Sequence, residues 1–525
     1  MPLHTEIEFE RDICQHLAAH GWQYAEPGAE GDARGWDTPR ALYPPDVLAW
    51  LQASQAQAWA QLSKLHGAAA EAVVLERLRK ALDEQGTLAV LRHGVELVGL
   101  KAPLKLAQFK PALAMNAELQ ARYAANRLRV LRQVRTNHDD IIDLVLCLNG
   151  VPVATAELKT DFTQDVNRAI DQYRFERLPR PKGRAQAEPL LDFPRGALVH
   201  FAVSNRTVFM TTRLLGPATR FLPFNQGDGG GAGNPPNGQG HRTAYLWEQV
   251  WQRDSWLEII GRYLVARRNA KKQVEAVLFP RYHQLDATRK LVQAVLAEGP
   301  GHRYLIQHSA GSGKTNSIAW TAHFLSELHD AQDRKVFSSV LVVSDRNVLD
   351  AQLQEAIYDF QRTTGVVASI TGNDASKSQQ LARALSGDKK IVVCTIQTFP
   401  FALAAVRELA ATQGKRFAVI ADEAHSSQTG EAASKLKQVL SSEEQQALAD
   451  GGEVSNEDIL AAHMAARAGQ DAGISYFAFT ATPKHSTLML FGRPQDTSQP
   501  IGKDNPPVPF HLYTMRQAIE EKFIL

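Results

Sequence analysis

The chain has 525 residues, of which 44% are hydrophobic and 22% are charged, and its formal net charge is +2 at pH 7. At a typical size of roughly 150 residues per domain, this length predicts two to four domains. No apolar run approaches the roughly 20 residues needed to cross a bilayer, which argues against a membrane role. The small net charge neither favours nor excludes nucleic acid, because nucleic-acid binding depends on local basic grooves.

The start of the chain and its cysteines indicate the cellular compartment. Met1 to Glu10 contains acids and no apolar stretch, so it resembles neither a signal peptide nor a transit segment. Cys14, Cys147 and Cys394 fit no disulfide framework or metal-ligand spacing and suit a reducing interior. The sequence therefore predicts a cytoplasmic protein.

The first 224 residues predict helices followed by strands. Apolar residues recur at helical spacing from Ile7 to Leu17 and from Trp59 to Leu82. The β-like runs that follow are Leu128 to Val134, Ile141 to Leu148, Val151 to Leu158, and Gly196 to Val203. This pattern predicts a separate domain of mixed helices and strands.

A tract rich in glycine, proline and asparagine, Asn225 to Thr243, interrupts the pattern and predicts a domain boundary, although a long surface loop would look the same. Trp247 to Leu278 has helical spacing and predicts a helical connector. Five short apolar runs then alternate with helical stretches, which is typical of buried parallel strands. These runs are Tyr304 to Ile306, Val340 to Val343, Ile391 to Cys394, Ala418 to Ile420, and Tyr476 to Phe479.

The first candidate site lies in the predicted strands 141–148 and 151–158. Asp143 is followed by Glu157-Leu158-Lys159, which is an acid on one strand and an acid-x-lysine on the next. Nucleases of the PD-(D/E)xK type use this spacing so that two carboxylates hold a divalent metal beside a lysine. Asp143 and Glu157 are therefore the predicted metal ligands, and Lys159 is predicted to orient water or offset charge. A solvated hairpin with ordinary charges explains the same residues.

The turn between these strands decides whether the two acids meet. Asn149-Gly150 is a strong hairpin signal. A turn of these two residues alone would place Asp143 and Glu157 on opposite faces of the sheet. We therefore predict a three-residue loop from Leu148 to Gly150, with a left-handed Gly150 forming a bulge that brings both acids to one face.

Other polar residues are candidates for the same site. An acid of the first helix would complete the metal ligands, and a helix residue downstream would approach the site, although an ordinary polar helix face explains these residues as well. The four arginines before the hairpin suit either phosphate binding or a solvated face. These residues are Glu6, Glu8 and Glu10, Gln172, and Arg127, Arg129, Arg132 and Arg135.

The second candidate site follows the apolar run that ends at Ile306. Glycines let backbone N–H groups surround phosphate oxygens, a lysine neutralises the β and γ phosphates, and a threonine hydroxyl ligates magnesium. His308 stands where longer forms of this loop have an outer glycine. The loop, predicted to bind ATP, is Gly311-Ser312-Gly313-Lys314-Thr315.

Further motifs follow in the order found in superfamily 2 motors. Asp422 and Glu423, after the run ending at Ile420, are predicted to hold magnesium and to polarise the attacking water. Gln284 resembles the residue that senses adenine, although an ordinary polar helix start fits equally. The predicted DNA-contact and coupling segments are Ser344-Asp345-Arg346 with Leu349 and Gln352, Thr395-Ile396-Gln397-Thr398, and Thr480-Ala481-Thr482-Pro483.

Together these motifs resemble the restriction and translocation subunit of Type I restriction enzymes. The resemblance extends to Phe221-Leu222-Pro223-Phe224-Asn225, to Asp422-Glu423-Ala424-His425 and to Ser427-Gln428, whereas Ser426 departs from the usual arginine. It implies a PD-(D/E)xK nuclease-like α/β domain followed by a RecA-like parallel α/β motor lobe. It also implies ATP and Mg²⁺ as cofactors, and double-stranded DNA with methyltransferase and specificity subunits as partners.

On this resemblance the expected division is a nuclease-like domain at 1–224, a linker and connector at 225–275, a motor lobe at 276–505, and the entry to a second motor lobe at 506–525. The chain is then expected to be the amino-terminal portion of such a subunit, without the lobe that supplies an arginine finger. Two other readings remain open. One is a superfamily 2 helicase or remodeller with a first domain that binds DNA without cutting it, and the other is a non-catalytic truncated product that occupies partner subunits.

Overall fold

The structure is a computed structural model. It describes residues 6–26, 35–113, 115–160, 165–344, 347–360, 365–370, 377–387, 389–395, 399–422 and 473–524. The chain divides into two compact units, of which the first comprises Met1–Gly229 and Gly233–Tyr282 and the second comprises Gly230–Ala232 and His283–Leu525. The four-part division expected from the sequence stays a prediction.

Helices precede the sheet in the first unit. In α1, Phe9, Ile13 and Leu17 recur at helical spacing and are buried, as expected of an amphipathic helix. The stretch from Trp59 to Leu82 forms parts of two helices, because the 3-10 turn Gly67–Ala69 interrupts it. The helices are α1 (Glu6–Ala19), α2 (Pro44–Ser54), α3 (Ala56–His66), α4 (Ala70–Gln85), α5 (Thr87–His93), α6 (Ala117–Ala125), α7 (Val166–Asp171) and α8 (Arg253–Glu258).

The sheet of this unit contains six strands among the described residues, in the order β1 to β6. Only β3 and β4 pair in parallel, and the other neighbours are antiparallel. Every residue of β3 is buried, so both faces of the sheet are covered at its centre. The strands are β1 (Leu128–Arg135), β2 (Ile141–Leu148), β3 (Val151–Lys159), β4 (Val199–Ser204), β5 (Val208–Thr211) and β6 (Leu222–Pro223).

The predicted helical connector is wrong in its second half. After α8 and the π-helical turn Ile259–Tyr263, the chain forms the hairpin of β7 (Val265–Arg268) and β8 (Val274–Leu278). Asn269 causes the reversal, because its side-chain oxygen accepts hydrogen bonds from the backbone N–H groups of Lys271 and Gln273. Asparagine commonly stabilises turns in this way.

The second unit is built on a parallel sheet, and the five predicted strands are confirmed. Among the described residues the order is β11-β12-β10-β13-β14-β9-β17, and each pair of neighbours is parallel. Their continuous Val, Ile and Leu runs suit a sheet covered on both faces. The strands are β9 (Arg303–His308), β10 (Ser339–Ser344), β11 (Val367–Ile370), β12 (Ile391–Thr395), β13 (Phe417–Asp422), β14 (Ile474–Thr480) and β17 (His511–Tyr513).

Helices connect these strands, and a short hairpin lies outside the sheet. The hairpin pairs β15 (Arg493–Pro494) with β16 (Pro507–Val508). The helices are α9 (Tyr282–Glu298), α10 (Lys314–Ser326), α11 (Asn347–Asp359), α12 (Lys377–Ser386), α13 (Phe399–Gln413), α14 (His485–Phe491) and α15 (Met515–Glu520). Within the described part of the chain, no helix is long and apolar enough to span a membrane.

Candidate functional site

The turn between β2 and β3 contains two residues, Asn149 and Gly150, with φ angles of 50° and 80°. Positive φ at both positions is the signature of the type I′ turn, which matches the twist of antiparallel strands. Gly150 also packs against backbone, since a Cβ there would lie 2.3 Å from the Tyr43 carbonyl oxygen. The predicted three-residue loop is therefore wrong.

The register shift that brings Asp143 and Glu157 to one face lies instead inside β3. Cys147 pairs with Pro152, whereas Leu146 pairs with Ala154, so Val153 is an extra residue that forms a β-bulge. Proline has no N–H to donate to the ladder, and within central strands it is tolerated mainly at bulges. Pro152 therefore explains why the strand bulges at this point.

Beyond the bulge, Leu144 pairs with Ala156, and the next step of this register places Asp143 opposite Glu157. Residues directly opposite each other on neighbouring strands share a face. The backbone N–H of Leu158 donates to Asp143 Oδ2 at 2.8 Å, which ties the two strands together at this level. Asp143 and Glu157 thus lie on one face as predicted, although the bulge inside β3 and not the turn sets their register.

Two acids of α1 join Asp143. Carboxylate oxygens of Glu6, Glu10 and Asp143 all lie within 4.8 Å of one another, and among the described residues this is the acidic cluster able to hold a cation. Glu8, on the same helix, is outside this set, and so is Glu157. The sequence left open which acid of the first helix would join the site, and the structure brings two of them.

Basic and amide groups offset the charge of this cluster. Lys159 Nζ donates to Glu6 Oε1 at 2.6 Å and lies 3.9 Å from Asp143 Oδ2. Glu10 accepts from Arg132 Nε at 2.7 Å and from Gln133 Nε2 at 2.9 Å. Burial, and then the charge of Asp143, nevertheless raise the pKa of Glu10 to about 7.

Glu157 is fully buried and pairs with a basic residue, Arg177, that forms no ion pair with the described acids of the cluster. Arg177 Nε donates to its Oε1 atom at 3.1 Å, whereas its Oε2 atom is buried without a hydrogen-bond partner among the described residues. Burial and the neighbouring Asp143 raise the pKa of Glu157 well above its ordinary value, while Arg177 and Lys159 act in the opposite direction.

The arginines before the hairpin mostly serve neither of the predicted roles. Arg127 Nε and Arg129 Nε donate to the two carboxylate oxygens of Asp46, a buried residue of α2, at 2.9 and 2.6 Å. Arg132 is bound to Glu10. Of the four, only Arg135 is an exposed residue, and its pair with Asp139 at 3.7 Å lies on the surface.

Clustered carboxylate oxygens are the ligands that hard divalent cations prefer, and such cations relieve the repulsion between the acids. The Oε2 atom of Glu157, which has no hydrogen-bond partner among the described residues, offers a further oxygen near Asp143. The residues present therefore fit a divalent metal such as Mg²⁺. Gln172, the predicted helix residue, also has a buried side-chain oxygen that lacks a partner among the described residues.

The second site is the loop between β9 and α10. Gly311 and Gly313 have φ angles of 71° and 79°, which is the left-handed region that glycine adopts readily. Gly313 ends the loop at the N-cap of α10, so Lys314 and Thr315 form the first turn of the helix. A helix N-terminus presents free N–H groups and a partial positive charge, which suits phosphate.

Side chains of α9 hold the loop in place. Gln284 Nε2 donates to the carbonyl oxygens of Ser312 and Gly313 at 3.3 and 3.0 Å, and His283 Nε2 lies 3.0 Å from the Ser312 carbonyl oxygen. In a trans peptide the N–H points opposite to the C=O. The N–H groups of Gly313 and Lys314 therefore point away from α9. Sensing of adenine by Gln284 stays a prediction.

A chain of histidines, which sequence reasoning missed, lies behind this loop. His308 Nε2 is 2.8 Å from His511 Nδ1, and His511 Nε2 is 3.0 Å from Asp286 Oδ2. His283 stacks on Tyr513 with ring centroids 3.9 Å apart. Burial, with the neighbouring His511, lowers the pKa of His308 well below its ordinary value. His511 is 203 residues from His308, so local sequence patterns carried no signal for the pair.

Asp422 lies at the same edge of the sheet as the loop. Asp422 pairs with Phe479 on β14, and Phe479 pairs with Ile306 on β9, which ends at His308 just before the loop. Thr480, the last residue of β14, is buried and pairs with Gln307 on β9. The carboxyl ends of parallel strands thus gather the loop, Asp422 and the Thr480 segment, as is usual for ligand sites of such sheets.

Several predicted residues lie outside the described part of the chain. Glu423 and the remainder of that motif, including Ser426, belong to this group. So do the residues 345–346 and 396–398 of the predicted DNA-contact segments. Their predicted roles therefore stay predictions.

Comparison with known proteins separates the chain into two regions. Residues 4–218 match the family of the Type I restriction enzyme R protein N terminus, and residues 283–525 match the SWI2/SNF2 ATPase family. The first matched region is thus similar to a restriction-enzyme region, and the second is similar to an ATPase of the SWI2/SNF2 class. The α/β fold class expected from the sequence is confirmed, as is the resemblance on which it rested. No curated protein is similar enough in sequence to match this chain.

Two solved structures show a weak likeness. One is described as a nuclease-deletion mutant of the Type ISP restriction-modification enzyme LlaGI in complex with a DNA substrate mimic, with 19% identity and a TM-score of 0.24 over 38% of this chain. The other is the Sulfolobus solfataricus SWI2/SNF2 ATPase core in complex with dsDNA, with 15% identity and a TM-score of 0.24 over 41% of this chain. The match covers 17% of the first protein and 35% of the second.

Proposed function

We propose that this chain is an ATP-dependent DNA endonuclease and translocase subunit of a Type I restriction-modification system. The observation that carries the proposal is the meeting of Asp143, Glu157 and Lys159 with two acids of α1, inside the region that matches the R protein N terminus. Double-stranded DNA is the proposed substrate. Methyltransferase and specificity subunits are the proposed partners, and the cytoplasm is the proposed location.

In the first region, Asp143 and acids of α1 would hold Mg²⁺, and Glu157, opposite Asp143, would supply a further carboxylate oxygen. When bound, this metal would activate water for phosphodiester hydrolysis and stabilise the charge that develops on phosphate. Lys159 supplies a positive charge beside Asp143, which offsets the acids and suits an anionic backbone. The burial of Glu157 keeps water away from one of the ligands.

In the second region, the loop Gly311 to Thr315 binds ATP. Lys314 would compensate the phosphate charge, Thr315 and Asp422 would hold Mg²⁺, and Glu423 would orient the attacking water. A metal held there would supply charge neutralisation of the phosphates. The grip of Gln284 and His283 on the loop carbonyls keeps the N–H groups of Gly313 and Lys314 available to phosphate.

Cleavage of supercoiled plasmid by the purified chain tests this function. We expect Mg²⁺-dependent conversion to nicked and linear forms, loss of cutting to background in Asp143→Ala, and unchanged cutting in Glu118→Ala, a matched change of an exposed acid on α6. Lys314→Ala should abolish binding of a fluorescent ATP analogue and leave metal binding intact.

Cutting by Asp143→Ala at the wild-type rate would contradict the nuclease assignment. If wild type and Asp143→Ala bind and hydrolyse ATP alike while neither cuts, a remodeller with a DNA-binding first domain becomes the better reading. Failure of the wild-type chain to bind either metal or nucleotide would favour a non-catalytic product that occupies partner subunits.

A further inference from the structure

Arg177 contacts a fully buried carboxylate of the nuclease-like region, that of Glu157. Its Nε donates to Glu157 Oε1 at 3.1 Å, and its Nη1 lies 3.4 Å from Asp140 Oδ1. The Arg177 side chain is 13% exposed and that of Glu157 is fully buried. Arg177 Nη1 also lies 3.7 Å from Glu176 Oε2. An arginine committed to three carboxylates in this way has little freedom to reach a ligand of its own.

The backbone delivers Arg177 to this position. The π-helical turn Gln172–Glu176 continues α7, and the N–H of Arg177 donates to the Gln172 carbonyl oxygen at 2.7 Å, which closes the turn. Asp140 immediately precedes β2, and Glu157 lies near the end of β3. The guanidinium therefore links the turn to both strands of the candidate site.

The two carboxylate oxygens of Glu157 differ in their hydrogen bonding. Oε1 has a partner in Arg177, whereas Oε2 is buried without one among the described residues. A buried carboxylate oxygen that lacks a donor is unfavourable, and binding of a cation would relieve the cost. Oε2 is thus the atom left for a metal.

We propose that Arg177 is a positioning residue that holds Oε1 of Glu157 and thereby presents Oε2 to the metal bound by Asp143. This inference rests on the proposed nuclease function. Groups that orient metal ligands from outside the coordination sphere strongly affect metal affinity. The planar guanidinium suits the role, because it can bind Glu157 and Asp140 at once, whereas a lysine has a single nitrogen.

The sign of the effect separates positioning from simple electrostatics. Removal of a positive charge near a cation site would by itself strengthen cation binding. If Arg177 positions Glu157, its removal must instead weaken binding. A role confined to stability would leave the metal affinity of the folded protein unchanged.

The test is Mn²⁺ binding to the full chain, measured by electron paramagnetic resonance of free Mn²⁺. We expect Arg177→Met to raise the dissociation constant about tenfold or more, as for other residues that orient ligands. Arg177→Lys should restore part of the affinity. The matched control is Arg174→Met on the same turn, since Arg174 binds only the Thr219 carbonyl oxygen among the contacts resolved for it and should leave affinity unchanged.

Asp140→Asn provides a second route that leaves Glu157 and Arg177 in place, in case Arg177→Met does not fold. It should weaken Mn²⁺ binding in the same direction but by less. The inference is overturned if the folded Arg177 and Asp140 variants bind Mn²⁺ within about twofold of wild type, while Asp143→Ala loses binding. If Asp143→Ala itself binds as wild type does, the proposed nuclease site fails, and that pattern is distinct from failure of the Arg177 role alone.

Discussion

The nuclease-like region holds its candidate site with charged side chains, whereas the second region holds its phosphate loop with an amide and an imidazole that contact backbone carbonyls. Around Asp143, acids of α1 and β3 are matched by Lys159, Arg132 and Arg177. Around Gly313, an amide side chain and an imidazole bind backbone carbonyls. The difference follows from the ligands that each site would take.

A site that gathers carboxylates for a metal must survive without it. Neighbouring buried carboxylates raise one another's pKa and destabilise the fold unless basic side chains lie close enough to compensate their charge. A loop that receives phosphate needs only free N–H groups in fixed positions, which backbone geometry and neutral hydrogen bonds provide. The first region is therefore expected to respond to charge and register, and the second to backbone conformation.

The largest effect is expected from insertion of one alanine between Thr155 and Ala156, beyond the bulge of β3. The inserted residue would shift the remainder of β3 by one position, so that Glu157 and Lys159 turn to the other face from Asp143. Mn²⁺ binding and plasmid cutting should both fall to background, while binding of an ATP analogue is retained. Equilibrium dialysis of Mn²⁺ and near-ultraviolet circular dichroism check the result.

Val153→Ala is the matched control for this insertion, because it changes the same strand but leaves its number of residues, and hence its register, unchanged. It should bind Mn²⁺ as wild type does. Retention of Mn²⁺ affinity by the folded insertion variant would show that the register of β3 does not set the face of the acids.

A smaller effect is expected from Gly313→Ala, which tests the backbone of the phosphate loop. Gly313 has a φ of 79°, and an added Cβ would lie 2.7 Å from Gln284 Nε2. A left-handed alanine costs about 1–3 kcal/mol, which corresponds to about a tenfold or greater loss of ATP-analogue affinity if the loop must relax. Fluorescence titration measures this affinity, and Mn²⁺ binding in the first region should not change.

Two comparisons sharpen that experiment. Gly299→Ala introduces alanine at a similar φ of 82° with no atom within 4 Å of the new Cβ, and it should leave nucleotide affinity unchanged. The double variant with Gln284→Ala removes the contact but also the hydrogen bonds that hold the loop, so it should recover none of the loss. Full affinity in Gly313→Ala alone would contradict the role given to this glycine.

The smallest effect concerns stability and a buried acid outside the metal cluster. Burial raises the pKa of Glu188 from 4.5 to about 7, despite hydrogen bonds from the backbone N–H groups of Leu190 and Asn137. A raised carboxyl pKa means that the folded state holds the proton more tightly. Stability is therefore lost as pH rises from about 4.5 to about 7, by at most about 3 kcal/mol for this group.

Glu188→Gln should reduce this pH dependence, and Glu118→Gln on an exposed site should not. Urea unfolding followed by tryptophan fluorescence reports on this unit, because every tryptophan except Trp320 lies in it. Part of the slope should remain in Glu188→Gln, since the pKa of Glu10 is also raised to about 7. An unchanged slope would show that Glu188 is ionised as readily in the folded state as in the unfolded one.

Strands with a simple signal could be predicted from the sequence, and features that depend on one residue could not. Continuous apolar runs such as Val340 to Val343 allow few structures other than a buried strand. The faces of β2 and β3 depend instead on the place of a single extra residue, and both possible places give the same local pattern. Pro152 inside a central strand was the available signal for the bulge.

The candidate sites show the same limit. Asp143, Glu157 and the phosphate loop lie in short motifs, so the sequence predicted them as groups. Arg177 and His511 reach their sites from other elements, and only the fold brings them there. The hairpin of β7 and β8 was not predicted, because apolar residues on both sides of the turn at Asn269 have helical spacing.

The hydrogen bonds of His308 and His511, behind the phosphate loop, determine which ring nitrogen of each histidine carries a hydrogen. Asp286 as a carboxylate can only accept, so His511 donates from Nε2. When His511 is neutral, its Nδ1 accepts from His308, and the Nδ1 atom of His308 is left as an acceptor without a partner among the described residues. One added proton on His511 reverses the bond between the rings, and His308 then carries its hydrogen on Nδ1. The tautomer of His308, at the base of the loop, thus depends on whether His511 carries one proton or two, although the two residues are far apart in the sequence. Nitrogen-15 spectra of the imidazoles would identify the tautomer directly.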